Sequence, residues 1–268
     1  LKMNIANALM SNGDYLQAQQ NYFEVLTQAE QNKDKEQIAK CLINIGILYG
    51  SQKRNDSCRH YLYRVLQEHG NDVSAYTKAN VLNNLVSLEG NPDSIIRSAT
   101  ALLDFSLKEN LGRFVAGAKE ALGIAAMRQQ HRIQARVLMN EALQISKMSE
   151  DDRSEVSVVH RITELNIDAI ENQDDAYLHQ YYNGNRAMAL TATRLLLDTV
   201  IRFFREQDEA DQLCSAYEVY SKVARAQGQP WVALEYYIQF KKLNDSLFNA
   251  ERDKGLTEKA MSYAFEKK

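Results

Sequence analysis

The chain has 268 residues, 45% of them hydrophobic and 25% charged, an ordinary balance for a folded globular protein. A formal net charge of −3 and a pI near 6.0 leave no basic surplus, so no nucleic-acid partner is expected. No stretch reaches the roughly 18 apolar residues of a membrane span. Cys41, Cys58 and Cys214 lie apart, without the spacing of a metal site or a disulfide framework.

Two prolines, Pro92 and Pro230, eleven glycines and no hairpin dipeptides between β-branched runs predict an all-α chain. Asn4-Ile5-Ala6, Asn44-Ile45-Gly46 and Asn84-Leu85-Val86 recur at a 40-residue interval, each inside a helix-like run. A fixed period of this size marks a stacked-helix solenoid, in which length sets repeat number rather than domain number.

In chain order, Gly13-Asp14-Tyr15 breaks the first helix. Ala18, Tyr22 and Val25-Leu26 then share one face at helical spacing. Ile45-Gly46 and Tyr49 are followed by Cys58, Leu62 and Val65-Leu66, with Cys58 expected as a buried thiol. In the third unit Ser98, Leu102 and Phe105 keep the pattern of the second helix, whereas Val86 and Glu89 depart from that of the first. Leu122-Gly123 and Ala126 precede Ala135, Met139 and Ala142-Leu143. Val86 and Gly123 are only 37 apart. A helix over 152–172 is separated from one over 186–205, with Ala189, Ala192, Leu196 and Val200 on one face, by the tyrosine-bearing insert 173–185. That insert reads either as a packing cap or as a ligand-contacting flap. Tyr220 and Ala224 lead into Gly228-Gln229-Pro230-Trp231, Ala233, Tyr237 and Phe240.

These residues resemble the tetratricopeptide repeat family: a large apolar residue, Leu-Gly and Tyr on a first helix, then Ala, an aromatic and Ala on a second. The resemblance implies a right-handed superhelical α-solenoid of about six helical hairpins plus a C-terminal helix. Units are expected near 1–35, 36–75, 76–110, 111–150, 151–206 (with insert 173–185) and 207–249, and a capping or connector helix over 250–268. Small residues belong where two helices approach closely, because interaxial distance follows side-chain size.

The end of the chain, Leu243-Asn244-Asp245-Ser246-Leu247-Phe248-Asn249 followed by a charged stretch carrying Leu256, Met261, Tyr263 and Phe265, is similar to the end of the tetratricopeptide sensor region in Bacteroidetes signalling proteins. In those proteins a connector, often a membrane helix, leads to a histidine kinase, a cyclase or a helix-turn-helix regulator. By this resemblance the chain is part of a larger bacterial protein. It is periplasmic if a membrane helix follows residue 268 and cytoplasmic otherwise.

No phosphate loop, dinucleotide fingerprint, zincin helix or nucleophile motif occurs. The five histidines lack ligand spacing, and Glu150-Asp151-Asp152 suits a helix N-terminus. The expectation is a non-enzymatic binding domain with no cofactor or metal, whose partner is a protein or peptide. A static assembly scaffold is the alternative. In the family the concave face is lined by first helices. Carried over by register, the partner-binding residues are Asn7, Met10, Lys40, Ile47, Asn80, Asn83, Ser87, Glu120, Ile124, Met127, Arg161, Leu165, Asp168, Glu218, Lys222 and Arg225. Asparagine amides both donate to and accept from a peptide backbone. Asn4, Asn44 and Asn84 adjoin packing positions and are expected to bond between units. Met3 stands where carboxylate-clamping members carry lysine, which argues against that clamp.

Overall fold

The computed structural model describes residues 2–11 and 13–247, and among them it holds thirteen helices and no strand. They are α1 (Lys2–Ser11), α2 (Tyr15–Gln31), α3 (Lys35–Ser51), α4 (Asn55–Glu68), α5 (Ala75–Ser87), α6 (Pro92–Lys108), α7 (Gly112–Arg128), α8 (Arg132–Met148), α9 (Asp152–Glu171), α10 (Asp175–Tyr182), α11 (Arg186–Glu206), α12 (Ala210–Ala226) and α13 (230–247). The expected connector over 250–268, with Leu256, Met261, Tyr263 and Phe265, lies outside the described residues, as do Phe248 and Asn249. The chain divides into two compact units, Leu1–Ala121 and Leu122–Lys268, the division falling within α7.

One turn recurs in both units. A helix ends, one residue takes a left-handed conformation, and the next caps the following helix. Lys33, Lys53, Asn110, Gln130, Glu150, Gln173 and Asp208 all have φ between +51° and +63°. The following N–H bonds back five residues: Asp34 to Ala29 O, Arg54 to Tyr49 O, His131 to Ala126 O, Asp151 to Ser146 O. This is the Schellman closure, which satisfies carbonyls the helix end would otherwise leave bare. Asp14, Asp34, Asp151, Asp174 and Asn185 then each accept a backbone N–H as N-cap, as Ser74 and Asn91 do after links without a left-handed residue.

In the first unit α1 packs on α2, α2 on α3, α3 on α4, α4 on α5 and α5 on α6. Tyr22, Leu42, Ile45, Leu48 and Leu62 are fully buried. Gly46 permits a close α3–α4 approach, since a Cβ there would lie 3.4 Å from Cys58 O and 3.5 Å from Leu62 Cγ. Cys58 is buried, as expected. Two polar links join successive hairpins. The Glu36 carboxylate of α3 accepts from Ser74 N–H (3.0 Å), Ser74 Oγ (3.1 Å) and Thr77 Oγ1 (2.6 Å) at the start of α5. Arg59 of α4 pairs with Glu89 at 3.0 Å and donates to Leu88 O at 2.8 Å. Glu89, where the repeat pattern wants tyrosine, is therefore engaged in an ion pair.

In the second unit α8, α9, α11 and α12 pack in succession around Met139, Leu165, Ile170, Leu197 and Phe204, all essentially sealed from water. Gly123 of α7 faces α8: a Cβ there would lie 3.1 Å from Met139 Cγ and 3.3 Å from Ala135 O. On α11 Ala189 and Val200 are sealed as expected, but the other two expected positions are not. Leu197 and Thr193 are sealed, while Ala192 and Leu196 are half-buried. The insert forms α10, and its Tyr177 is fully buried and its Tyr182 nearly so. Both pack into the core, as a packing cap does. On α13, Ala233 is buried, but Trp231 is 81% exposed and Tyr237 half exposed. Phe240 packs against the core, so the expected apolar pattern holds at Ala233 and Phe240 and turns outward at Trp231 and Tyr237.

Two stability changes follow. Ala135→Leu is expected to overpack the α7–α8 approach and cost about 1–3 kcal/mol, read as a lower midpoint in urea. Glu150→Gly relieves a left-handed residue and is expected to add about 0.5–1 kcal/mol in the same assay, after the extra backbone entropy of glycine is subtracted.

Candidate ligand cleft

The first-position helices of the second unit enclose a cleft of about 310 Å³. Met127 and Arg128 come from α7, with Gln130 from the turn after it. Glu164, Ile167, Asp168 and Glu171 come from α9, and Ser215, Glu218, Val219 and Lys222 from α12. On α9 and α12 the spacings of three and four residues place these side chains on one helical face. Met127, Ile167 and Val219 supply its apolar part, and the charged groups surround them.

Each carboxylate of the cleft has a basic partner. Arg161 donates to Glu164 at 2.9 Å, and Arg132 to Asp168 at 2.6 Å. Arg225 pairs with Glu171 at 3.0 Å, and Lys222 with Glu218 at 2.8 Å. Arg132 also reaches Asp174 at 3.3 Å, the cap of α10, and donates to Gln130 Oε1. Burial opposes the charge of Glu164, but Arg161, His160 and the Ser215 hydroxyl outweigh it and hold the carboxyl below its usual range.

Beneath the cleft His160, Ser215 and Glu164 meet. His160 Nε2 lies 3.0 Å from Ser215 Oγ, and Ser215 Oγ donates to Glu164 Oε1 at 3.0 Å. The single hydroxyl proton is thus committed to the carboxylate, so Nε2 carries hydrogen and donates to Ser215 Oγ. In that arrangement the imidazole has no lone pair aimed at the serine, and the trio is not a nucleophile–base pair. His160 is fully buried with its ring edge-on to Phe204. Burial pushes its pKa down to about 4, with Glu164 opposing and Arg161 reinforcing the shift.

Of the candidates from the sequence, the structure places Met127, Asp168, Glu218 and Lys222 in this cleft, and Arg161 and Arg225 bonded to carboxylates that line it. Leu165 is sealed in the core, because the outward face of α9 runs through Glu164 and Asp168, one residue round from the expected register. Ile124 is half-buried against the core of the second unit. Glu164, Glu171 and Ser215 were missed, although the same stripe of threes and fours contains them.

The candidates of the first unit divide between contacts within the stack and the helix surfaces. Asn7 Oδ1 accepts from Tyr22 at 2.6 Å and from Asn44 at 3.3 Å, so Asn44 does bond between hairpins. Met10 and Ile47 pack against the core, and Lys40 is exposed beside Glu36 at 3.7 Å. Asn84 donates to Asn80 within α5 rather than to another unit, and Ser87 donates to Asn84 O. Asn4 is exposed and Glu120 half-buried. Asn83 faces Gly117 of α7, where a Cβ would come within 3.2 Å of its Oδ1. Among the described residues no helix is long and apolar enough to cross a membrane, and no cluster of ligating side chains could hold a metal ion.

No family model and no curated protein matches the chain. Solved structures do. The apo quorum sensor NprR from B. thuringiensis superposes with a TM-score of 0.64 at 13% identity, over 90% of this chain and 64% of that one. A Rap protein complexed with competence and sporulation factor gives 0.59 at 11% identity, over 93% and 75% of the two chains. A signal-transduction ATPase from Pyrococcus horikoshii with a tetratricopeptide repeat sensor gives 0.54 at 14%, over 94% and 44%. The chain has the tetratricopeptide-repeat fold. At these identities the likeness is one of fold, and the repeat hairpins carry it.

The buried histidine makes stability depend on pH. The unfolded chain takes up a proton near pH 6.5 and the folded one near 4. His160 therefore contributes fully above pH 6.5, and its contribution is lost as the pH falls toward 4, by roughly 3 kcal/mol. Urea unfolding from pH 7.5 to 4.5 is expected to show this decline, and His160→Gln to flatten it.

Proposed function

We propose that this tetratricopeptide-fold chain is a non-enzymatic peptide- or protein-binding region that serves as the sensory part of a larger bacterial signalling protein. The observation that carries the reading is the cleft of the second unit, where three first-position helices present an apolar strip ringed by charged side chains. An extended peptide fits such a strip: its side chains meet Met127, Ile167 and Val219, and its backbone and charges meet the rim. The paired charges of the rim favour a ligand of mixed charge over a strongly acidic or basic one. The similar folds of a quorum sensor and of an ATPase with a repeat sensor support a signal-receiving role. The ending that resembles a sensor junction supports a parent with an output domain. Switching requires that the ligand bind two arrangements of the helices with different affinity.

A random extended-peptide library displayed against the chain tests the reading. Binders are expected to lose about tenfold in affinity, about 1.4 kcal/mol, with Glu171→Lys plus Glu218→Lys. Asn80→Ala plus Asn83→Ala, in the other unit, should leave them unaffected. Undiminished capture by the charge-reversed cleft would overturn the assignment of the site.

A further inference from the structure

Arg132 and Arg136 stand one turn apart on α8, and their surroundings differ. Arg132 has two carboxylates, Asp168 and Asp174. Arg136 has none among the described residues. Its Nε donates to Asn140 Oδ1 at 3.1 Å, and its Nη1 to Asn166 Oδ1 and the Tyr177 hydroxyl, both at 2.9 Å, and to the Tyr182 hydroxyl at 3.5 Å. The guanidinium lies over the Tyr181 ring, 5.0 Å from its centroid. Every partner is neutral.

A guanidinium cannot lose its charge to escape burial, so a half-buried one is ordinarily matched by an anion. Here part of the neutral shell is tied into a hydrogen-bond chain of its own. Tyr177 donates to Asn166 at 2.6 Å, and Asn166 donates to Thr193 at 3.1 Å. Arg136 Nη2 has no acceptor, yet it is not among the sealed atoms that lack a partner, so it meets solvent. The Asn140 amide group and the Tyr182 hydroxyl proton likewise have no acceptor among the described residues. A fixed positive charge with three unspent donors about it, held by an aromatic shell from the insert helix, has the chemistry of an oxyanion seat.

We propose that Arg136, with Asn140 and Tyr182, binds an oxyanion, a carboxylate or a phosphate, at the junction of α8 and the insert helix α10. The seat uses none of the residues that line the cleft and does not depend on the peptide-binding reading. It gives the insert a role beyond packing, because Tyr177, Tyr181 and Tyr182 all come from α10 and fix the guanidinium in place.

The test uses the described chain with inorganic phosphate and with acetate, each against chloride at matched ionic strength. The side-chain NMR resonance of Arg136 and the melting temperature are the readouts. A saturable shift of Arg136 but not of Arg132 is expected with at least one of the two anions, and the stronger one identifies the source of the oxyanion. Asn140→Asp is isosteric and supplies an internal carboxylate. It is expected to raise the melting temperature and to weaken anion binding at least tenfold. A wild-type response to neither anion, or an equal response in Asn140→Asp, would overturn the proposal.

Discussion

The hairpin turn is the constraint on which the rest of the structure depends. Antiparallel helices lie side by side only if the chain reverses in a short link, and most of the links here do so through one residue in the left-handed region. Here that residue is usually not glycine: lysine, glutamine, glutamate, asparagine and aspartate accept the strain at Lys33, Gln130, Glu150, Asn110 and Asp208. Non-glycine residues resist this conformation by about 1–2 kcal/mol. The five-residue return bond offsets the cost locally, joined at Asp34, Asp151 and Asp174 by a side-chain cap. Because the turn is closed by backbone, its side chain is free to vary. The repeat can therefore persist while its sequence drifts.

Polar fasteners complete the packing across several of the turns. Glu36 ties α3 to the start of α5, and Arg59 ties α4 to Glu89. Arg132 ties α8 to both α9 and the cap of α10. In each case a charged group reaches from one hairpin to the terminus or edge of the next. Such contacts fix register more sharply than apolar surfaces do, because hydrogen-bond geometry tolerates less displacement than a hydrophobic contact.

The repeat was legible because small residues at close approaches leave a pattern that survives substitution around them. Gly46, Gly123, Ala18 and Ala135 gave the register, and all are found where helices meet. The cleft was legible in part. Asp168, Glu218 and Lys222 follow from register alone. Leu165 did not belong, because an error of one residue turns a helix by about 100°, enough to exchange cleft for core. Asn7 illustrates a different limit. Its exposure and amide chemistry suit ligand binding, yet its oxygen is engaged by Tyr22 and Asn44, and partners 15 and 37 residues away leave no local trace. The neutral surroundings of Arg136 were equally hidden, since they draw on α8, α9 and α10 at once.

The order of contacts has a kinetic consequence. Within each unit, the helices that touch are close neighbours in the chain, and the widest steps, such as α9 to α12, cross only one further hairpin element and the insert. Loops to be closed during folding are short, and the entropy of closing them is small and spread over many steps. Such a chain is suited to growing its structure as it leaves the ribosome, each new hairpin finding a template already formed by the one before.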